Sequence, residues 1–589
     1  MTRIKPFVWM LPALAGLLLC QCGKDPDVPD PKPSPESGLE SLLPNNQILR
    51  DVAVTTDKAM YAPGSVVRFT GDRSQSGIGV RYWHLGEVVE EKLLDDTAEW
   101  TWTLPAKDFQ GYMVELVGKN AQGEVRTVGS VAVDASSDWT RFPRYGFLSR
   151  FGNVAPSKRE SVIANLNRYH INGLQYYDWM YDHHHPLAGT PENPEPDWPS
   201  IIGDLCEKEV VQGYIDEAHK YNMASMFYDL CYGVLAWAEE DGVSPSWYLY
   251  KEASAKNRDY HPLGAPFRSN IYLVDPGNAG WLDYFADRVD EVYQVYGFDG
   301  FHIDQLGNRG DRYGADGKKV DMPAGYGLFL NKMKQTRPEK KLAFNAVSRY
   351  GQARIAEAPS DFLYNEVWTT GFSEIDKILT ENKSLAPGKN SVLAAYMNYK
   401  QSGLFNTPAV LLADAVIFAL GGSHLELGEH MLSNEYFPSA NLKMSSELSE
   451  KLVKYYDFLT GYENLLRDGA VKSGLNVNSD DVKTAQWGPV QGSVNTASFQ
   501  VGDKLVVHLL NFESARHLDW RDDSMNQAAP STHENLSISI RSSRDVKRVW
   551  VASPDFHGGI PQEAEFSASG ISVKIKVPAL QYWTMVVIE

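Results

Sequence analysis

The sequence predicts a multidomain fold in which a central (β/α)8 TIM barrel is flanked by an N-terminal immunoglobulin-like β-sandwich and a C-terminal β-sandwich. The first observation is length, since 589 residues exceed what one hydrophobic core usually supports. The second is the period-two alternation of apolar and polar residues over 46–138 and 473–589, which indicates half-buried strands. The third is the alternation of short apolar strands with helical stretches over 139–472, which is typical of parallel α/β folds.

The N-terminal segment is interpreted as a targeting signal and not as part of the fold. Two basic residues precede the apolar run FVWMLPALAGLLLC, which is too short to span a bilayer. Because the run ends at Cys20 and Cys22, residues 1–22 resemble a bacterial lipoprotein signal peptide, in which a cysteine is lipidated. Cys22 is favoured because the Pro- and Asp-rich linker 23–45 follows it directly. We expect an exported lipoprotein of the cell envelope, at the outer membrane or the cell surface.

The two flanking regions have the pattern of antiparallel sheets. Over 46–138, segments such as SVVRFTGD and AEWTWTLPA are separated by Gly, Asn and Asp turns. Trp100, Trp102 and Leu104 fall on one face of one strand, and the region has the size of an immunoglobulin domain. Over 473–589, KLVVHLLNFE, NLSISIRSS and YWTMVVIE repeat the alternation, so a second β-sandwich is expected to close the chain.

The middle region contains enough strand and helix signals for a TIM barrel, with an open doubly wound sheet as the less favoured alternative. The first barrel helix is expected to begin with a capping box formed by Ser157 and Glu160. No Gly-rich phosphate loop follows a strand, so nucleotide binding is not supported. The strand candidates are RYGFL (144–148), INGLQYY (171–177), MASMFY (223–228), GFHI (300–303), LAFNA (342–346), FLYNE (362–366), VLAAY (392–396) and VIFALGG (416–422).

Composition narrows the class of partner. The net charge of −19 argues against nucleic acid, whose phosphates require a basic surface. The 15 Trp and 30 Tyr suit stacking on sugars, although large cores also use these residues. Cys206 and Cys231 leave two alternatives open, a disulfide of an exported protein or two buried thiols.

Polar and aromatic residues stand at the carboxyl ends of the predicted strands, where TIM-barrel active sites lie. Asp304 ends the fourth strand and has a structural alternative as the N-cap of the next helix. Glu366 ends the sixth strand and is harder to explain in that way, because Glu is a poor cap. Carboxylates on strands four and six suggest glycoside cleavage by a retaining pair, about 5–5.5 Å apart. The run His183–His185 lacks zinc-ligand spacing, so neither a metal nor another cofactor is expected.

Several ordered motifs resemble glycoside hydrolase family 66, which contains endo-dextranases and cycloisomaltooligosaccharide glucanotransferases. These motifs are HINGLQYYDW, GFDGFHIDQLG, FLYNEVW, ALGGSHLELGE and KYYDFLTGYENLLRDG, in order across roughly 140–470. The resemblance implies the predicted layout, with β-domains before and after the barrel. It also implies that Asp304 is the nucleophile and Glu366 the acid/base. The remaining strand-end residues are the substrate-binding candidates: Tyr177, Asp178, Trp179, Tyr228, Asp229, His302, Gln305, Asn345, Trp368, Tyr396, His424 and Glu426.

The expected function is that of a retaining endo-dextranase that produces linear isomaltooligosaccharides. Its partner is an α-1,6-glucan, and it contacts a membrane only through the N-terminal lipid anchor. A cyclising glucanotransferase is one alternative. The resemblance implies that cyclising members carry a carbohydrate-binding module inserted between strands seven and eight. In this sequence the segment NYKQSGLFNTPAVLLADA forms that connection and is too short to contain a module. A second alternative is an enzyme for a different linkage, in another α-glucan or an α-galactoside. A third is a non-catalytic surface glycan-binding lipoprotein.

Overall fold

The computed structural model describes residues 38–589 and combines α/β with all-β parts in many sheets. The predicted signal peptide, with Cys20 and Cys22, and most of the predicted linker lie outside the described residues. Within 38–589, helices that are both long enough and apolar enough to cross a bilayer are absent.

Residues 54–135 form a three-stranded and a four-stranded antiparallel sheet that share one core. Tyr82 of one sheet stacks on Trp102 of the other with ring centroids 4.1 Å apart. Trp100, Trp102 and Leu104 are all buried, which confirms the predicted face. The strands are Val54–Thr56, Val66–Gly71, Gly79–His84, Glu87–Leu93, Glu99–Thr103, Gln110–Lys119 and Val125–Ala135, and the short helix Leu39–Leu42 precedes them.

Residues 145–424 contain eight parallel strands in two sheets, which we number one to eight in chain order. Strands one to five are Tyr145–Leu148, Gly173–Tyr176, Ala224–Leu230, Gly300–Asp304 and Lys341–Phe344, and they pair in sequence order. Strands six to eight are Leu363–Glu366, Ser391–Ala394 and Gly422–His424. Isolated parallel bridges between Asn345 and Tyr364 and between Phe147 and Gly428 lie between the two sheets.

Helices connect the parallel strands, as the sequence predicts for this region. They are Pro156–Asn167, Lys208–Lys220, Ala279–Val295, Met322–Thr336, Gln352–Glu357, Phe372–Leu385 and Thr407–Ala419, and Ser446–Gly461 and Glu463–Leu466 follow the eighth strand. Short strands also lie in the connections: Asp197–Pro199, Leu205–Glu207, Gly233–Val234, Tyr260–His261, Ile271–Leu273, Gly403–Leu404 and Leu442–Lys443.

Two local predictions in this region are wrong. The run VIFALGG forms the end of the helix Thr407–Ala419, and strand eight begins only at Gly422. Every residue from Ala409 to Ala419 is buried, so the helix has no exposed polar face. Its apolar sequence therefore fits a buried strand as well as a buried helix. The first helix begins at Pro156, one residue before Ser157, because proline suits the first helical position. Its N-cap is Ala155, which has no side chain that could cap the helix, so the predicted capping box at Ser157 does not form.

Residues 471–588 form a seven-stranded and a four-stranded sheet around a further core. Val507 and Val586 of the larger sheet pack in that core with Ile538 of the smaller one. The larger sheet contains Val471–Lys472, Thr484–Gln486, Val494–Val501, Lys504–Asn511, Val549–Ala552, Gln562–Glu563 and Trp583–Ile588. The smaller contains Val477–Ser479, His533–Arg541, Phe566–Ser569 and Ser572–Leu580.

Both cysteines of the described residues are free. Cys206 and Cys231 are buried and unpaired, so the disulfide alternative is wrong and the buried-thiol alternative holds. Burial raises the pKa of Cys231 well above its ordinary value. The thiol therefore stays protonated and packs as a small apolar side chain.

A buried charge cluster joins the N-terminal sheets to the parallel strands. Arg144, just before strand one, is fully buried and donates to Asp134 Oδ2 at 2.7 Å and to the His170 carbonyl at 2.6 Å. A longer bond of 3.4 Å reaches Glu463 Oε2 in the helix after strand eight. Arg144 therefore pairs with carboxylates from the N-terminal region and from the far end of the α/β region, and the charge of the buried Arg467 acts on the same two carboxylates.

We expect Arg144→Met to lower the thermal midpoint of unfolding strongly. The substitution removes the ion pairs of Asp134 and Glu463 with Arg144 and leaves Arg467 as the remaining cation near both buried carboxylates, and breaking such a pair costs about 3–5 kcal/mol. The matched control is Arg126→Met, which removes a pair with Asp51 whose side chains are 52% and 82% exposed, worth at most about 1 kcal/mol. Equal midpoint shifts in both variants would contradict the role of the cluster.

Candidate active site

Strands four, five and six bring three polar side chains to the same edge. Asp304 is the last residue of strand four, and Glu366 is the last of strand six. Asn345 follows strand five, where its backbone N–H donates to the Ile303 carbonyl at 2.8 Å. Because parallel strands end together, their register sets these three residues side by side.

The Asn345 side chain bonds both carboxyl groups. Its amide nitrogen donates to Asp304 Oδ1 at 2.8 Å and to Glu366 Oε2 at 3.4 Å. Its carbonyl oxygen accepts the Glu366 backbone N–H at 3.1 Å, which fixes the orientation of the amide. Asp304 Oδ1 and Glu366 Oε2 therefore lie no farther apart than the sum of their distances to the Asn345 nitrogen, 2.8 and 3.4 Å.

Asp304 is surrounded by hydrogen-bond donors. Tyr228 donates its hydroxyl to Oδ2 at 2.8 Å, and the backbone N–H of Gln305 donates to Oδ1 at 2.7 Å. Burial raises the pKa of Asp304, whereas the bonds from Tyr228, Gln305 and Asn345 lower it. Donors on both oxygens favour the ionised carboxylate over the protonated acid.

Glu366 has a different environment. Its Oε1 accepts the Tyr396 hydroxyl at 2.7 Å, and its Oε2 has only the long bond from Asn345. Burial, followed by the nearby charge of Asp304, raises the pKa of Glu366 to about 7. Burial therefore raises the pKa of both carboxyl groups, and Glu366 holds a proton near neutral pH.

A third carboxyl group, Asp178, lies beside this pair. Burial raises the pKa of Asp178 to about 7, with the charges of Asp229 and Asp304 adding to it. His183 lies nearby and is bonded through Nδ1 to Asp229 Oδ1 at 2.7 Å. Burial lowers the pKa of His183 to about 4, so the imidazole is neutral at physiological pH.

These groups line a cavity of about 540 Å³. It contains both carboxyl groups of the pair and the wall of aromatic rings expected for sugar binding. Tyr177 stacks on Phe437 at 4.2 Å, and its hydroxyl donates to the Glu435 carbonyl at 3.0 Å. The sequence-predicted residues that line the cavity are Tyr177, Asp178, Tyr228, His302, Asp304, Gln305, Asn345, Glu366, Trp368 and Tyr396.

Two predicted substrate residues near strands two and three lie away from the cavity. Trp179 is fully buried in the core, where its ring contacts Phe298 at 5.1 Å. Tyr177 and Asp178, the two residues before it, line the cavity, whereas the side chain of Trp179 points into the core. Asp229 is also fully buried and bonds His183, so its expected direct role in substrate binding is not supported.

His424 and Glu426 also lie away from the cavity, in a buried polar network. His424 bonds Asp414 Oδ1 through Nδ1 at 2.8 Å and donates from Nε2 to the Ala395 carbonyl at 2.7 Å. Glu426 accepts the Tyr456 hydroxyl at 3.0 Å. Both side chains are at most 1% exposed, so their prediction as sugar contacts is wrong and they hold strand eight to its neighbouring helices.

Sequence reasoning misses several cavity residues because they come from loops rather than strand ends. Glu435, Tyr436 and Phe437 belong to the segment after strand eight, and His261 and Phe267 belong to the long connection after strand three. Nothing in the local spacing of these residues marks them, and the aromatic excess is the only general signal for them. Two further lining residues are His183 and Gln175.

The chain is similar to known proteins over most of its length. The model of glycosyl hydrolase family 66 matches residues 56–587. A cycloisomaltooligosaccharide glucanotransferase of Niallia circulans is 25% identical over 746 residues, which covers 98% of this chain and 74% of that relative. A dextranase of Streptococcus salivarius is 24% identical over 563 residues, which covers 81% of this chain and 67% of that relative.

A solved structure shares the fold. It is the crystal structure of a cycloisomaltooligosaccharide glucanotransferase from Paenibacillus sp., complexed with cycloisomaltoheptaose. The TM-score is 0.85 at 24% identity, and the match covers 91% of this chain and 99% of the other. The shared architecture therefore extends from the N-terminal sheets through the C-terminal ones.

We expect Tyr396→Phe to raise the pKa of Glu366 above about 7. The hydroxyl of Tyr396 stabilises the ionised form, so its loss favours the protonated form. The midpoint is measured from the infrared band of the protonated carboxyl group, assigned by subtracting the spectrum of Glu366→Gln. Tyr364→Phe is the matched control, since its ring lines the same cavity and its hydroxyl has no hydrogen bond among residues 38–589. An unchanged or lowered midpoint in Tyr396→Phe would contradict the assignment.

Proposed function

The chain belongs to glycosyl hydrolase family 66, and we propose that it is a retaining endo-dextranase that cleaves α-1,6-glucosidic bonds. The observation that carries the proposal is the pair Asp304 and Glu366, bridged by Asn345, in which three donors bond the Asp304 carboxylate and the pKa of Glu366 is raised to about 7. Two carboxyl groups whose environments separate their protonation states are what glycoside cleavage requires.

In the proposed first step, Asp304 attacks the anomeric carbon of the bound glucosyl unit. The Asp304–carbon bond forms as the glycosidic bond breaks, and Glu366 gives its proton to the departing oxygen. In the second step, the Glu366 carboxylate takes a proton from water, whose oxygen attacks the same carbon and releases Asp304. Two displacements at one carbon retain the anomeric configuration.

The separation of the pair supports retention over inversion. The bonded oxygens of Asp304 and Glu366 are linked through one nitrogen by contacts of 2.8 and 3.4 Å. The sum of these lengths is below the roughly 6.5–9.5 Å that leaves room for a water in inverting enzymes. The geometry therefore fits a nucleophile that reaches the sugar directly.

Dextran is the proposed substrate because of what the relatives are named for. The Streptococcus salivarius relative is a dextranase, and the Niallia circulans relative is a cycloisomaltooligosaccharide glucanotransferase. The aromatic cavity and acidic chain also suit a neutral glucan. A non-catalytic glycan-binding role is disfavoured, because capture alone has no need of a proton held on Glu366 beside an ionised Asp304.

Hydrolysis to linear products is proposed over cyclisation. The alignment with the glucanotransferase runs over 746 residues, which is longer than this 589-residue chain, so the relative contains segments that this chain lacks. Between strands seven and eight this chain has only the short strand Gly403–Leu404 and the helix Thr407–Ala419. No separate module that holds a glucan end while it bends lies in this connection.

We also propose the division of the chain that the sequence suggests, with 46–138 and 473–589 as β-sandwiches and 139–472 as one closed eight-stranded barrel. The isolated bridges at Asn345–Tyr364 and Phe147–Gly428 support closure, because each lies between the two parallel sheets. The lipid anchor at Cys22 or Cys20, and hence a place in the cell envelope, is likewise a proposal from the sequence of residues 1–22.

Asp304→Asn is expected to abolish dextran cleavage, because it removes the nucleophile and preserves its shape. Glu366→Gln is expected to reduce kcat by about 10²–10⁴-fold. With an isomaltosyl fluoride, whose leaving group needs no proton, the first step recovers in Glu366→Gln but not in Asp304→Asn. Asp316→Asn, at an exposed carboxylate, is the control and stays active. Equal losses of both variants on both substrates would rule out these roles.

Dextran is expected to yield linear isomaltooligosaccharides as the main products. Mass spectrometry distinguishes the outcomes, since a cyclic oligosaccharide is lighter than its linear counterpart by one water. A product series dominated by water-deficient masses would make the protein a cyclising transferase, with Asp304 and Glu366 in the same roles.

A further inference from the structure

A long loop of the C-terminal region packs beside the active-site cavity. Residues 512–532 connect the strands Lys504–Asn511 and His533–Arg541 of two different sheets. Trp520 in this loop is fully buried, and its backbone N–H and indole N–H donate to the carbonyls of Thr370 and Thr369 at 2.7 and 2.9 Å. These two residues follow directly after Trp368, which lines the cavity.

The same loop holds the chain that follows strand seven. The backbone N–H of Asn398 donates to the Arg521 carbonyl at 2.7 Å, and its side-chain amide donates to the Asp522 carbonyl at 2.7 Å. The Asp522 carboxylate is buried and accepts from the Asn406 side chain at 2.6 Å. The 512–532 loop is therefore bonded to the segments that follow strands six and seven.

Arg521 extends from this loop toward the cavity wall. Its guanidinium carbon lies 4.7 Å from the centre of the Tyr399 ring. Tyr399 meets Trp368 edge-on at 5.7 Å and donates its hydroxyl to Glu435 Oε1 at 2.8 Å. Trp368 and Glu435 both line the cavity, so contacts run from Arg521 through Tyr399 to two cavity residues.

We propose that the 512–532 loop supports the substrate site from behind the cavity, with Arg521 as a positioning residue that acts through Tyr399 on Trp368. The inference rests on the proposed function. Trp368 lies two residues after Glu366, the group proposed to protonate the departing oxygen. The proposal assigns Trp368 to the sugar on the leaving-group side of the scissile bond, because it lines the cavity next to Glu366, and it gives the C-terminal region a share in the affinity for that sugar.

The physical basis is the ordering of two aromatic rings. The guanidinium of Arg521 and the ring of Tyr399 attract each other electrostatically, and this attraction restricts the motion of the ring. Without that contact, Tyr399 and Trp368 sample more orientations, and binding must order them again. Loss of an interaction that is equal in the ground state and the transition state raises KM and leaves kcat unchanged.

The test compares Arg521→Ala on two substrates. On dextran, we expect KM to rise roughly three- to tenfold with kcat within about twofold. On isomaltotriosyl fluoride, which places no sugar on the leaving-group side, we expect wild-type kinetics. Arg521→Lys keeps a cation near the ring and is expected to recover most of the affinity for dextran.

The matched control is Arg516→Ala, in the same loop. The Arg516 side chain is exposed and, within residues 38–589, forms neither a hydrogen bond nor an ion pair. This variant is expected to match wild type on both substrates. Equal losses of Arg521→Ala on the two substrates, or no loss on either, would overturn the proposal. If wild type fails to cleave dextran, the proposed function fails, and Arg521 is tested on whichever α-glucan the wild type cleaves.

Discussion

The active site depends on one hydrogen-bonded amide, that of Asn345, which joins the carboxyl groups at the ends of strands four and six. Its position follows from the register of the parallel strands, because its own backbone N–H is bonded to strand four and its side-chain oxygen to the backbone N–H of Glu366. A sheet that slipped by one residue would turn all of these side chains to the opposite face. The buried Arg144 cluster and the apolar helices outside the strands therefore serve the chemistry indirectly, by preserving that register.

The roles proposed for the two carboxyl groups rest on the difference between their surroundings. Asp304 accepts hydrogen bonds from a tyrosine hydroxyl, a backbone amide and Asn345, whereas Glu366 has one short bond and the charge of Asp304 nearby. Burial acts on both groups alike, so donors and charge decide which one keeps the proton. The C-terminal loop lies behind these residues, since Arg521 contacts Tyr399, which in turn contacts the cavity residues Trp368 and Glu435.

Much of this arrangement is predictable from the sequence because it follows local rules. Period-two alternation locates the flanking sheets, and seven of the eight parallel strands largely coincide with their predicted positions, whereas strand eight shares only Gly422 with its prediction. VIFALGG is predicted wrongly because a helix buried on all sides has no periodic polar face. Trp179 and His424 are predicted wrongly because sequence proximity to a strand end does not fix which way a side chain points. Glu435 and Phe437 come from a distant loop that only the folded chain brings to the cavity, and Arg521 of another loop contacts Tyr399 behind it.

The central claim is that a sugar becomes covalently attached to Asp304 during turnover. The most direct measurement uses a 5-fluoro-isomaltosyl fluoride, whose fluorine beside the ring oxygen slows breakdown of the ester by destabilising the oxocarbenium-like transition state. Peptide mass mapping of the trapped enzyme should find the added sugar on the peptide that contains Asp304 and on no other. A sugar attached at Glu366 or Asp178, or an unmodified enzyme that releases product with inverted configuration, would contradict the account.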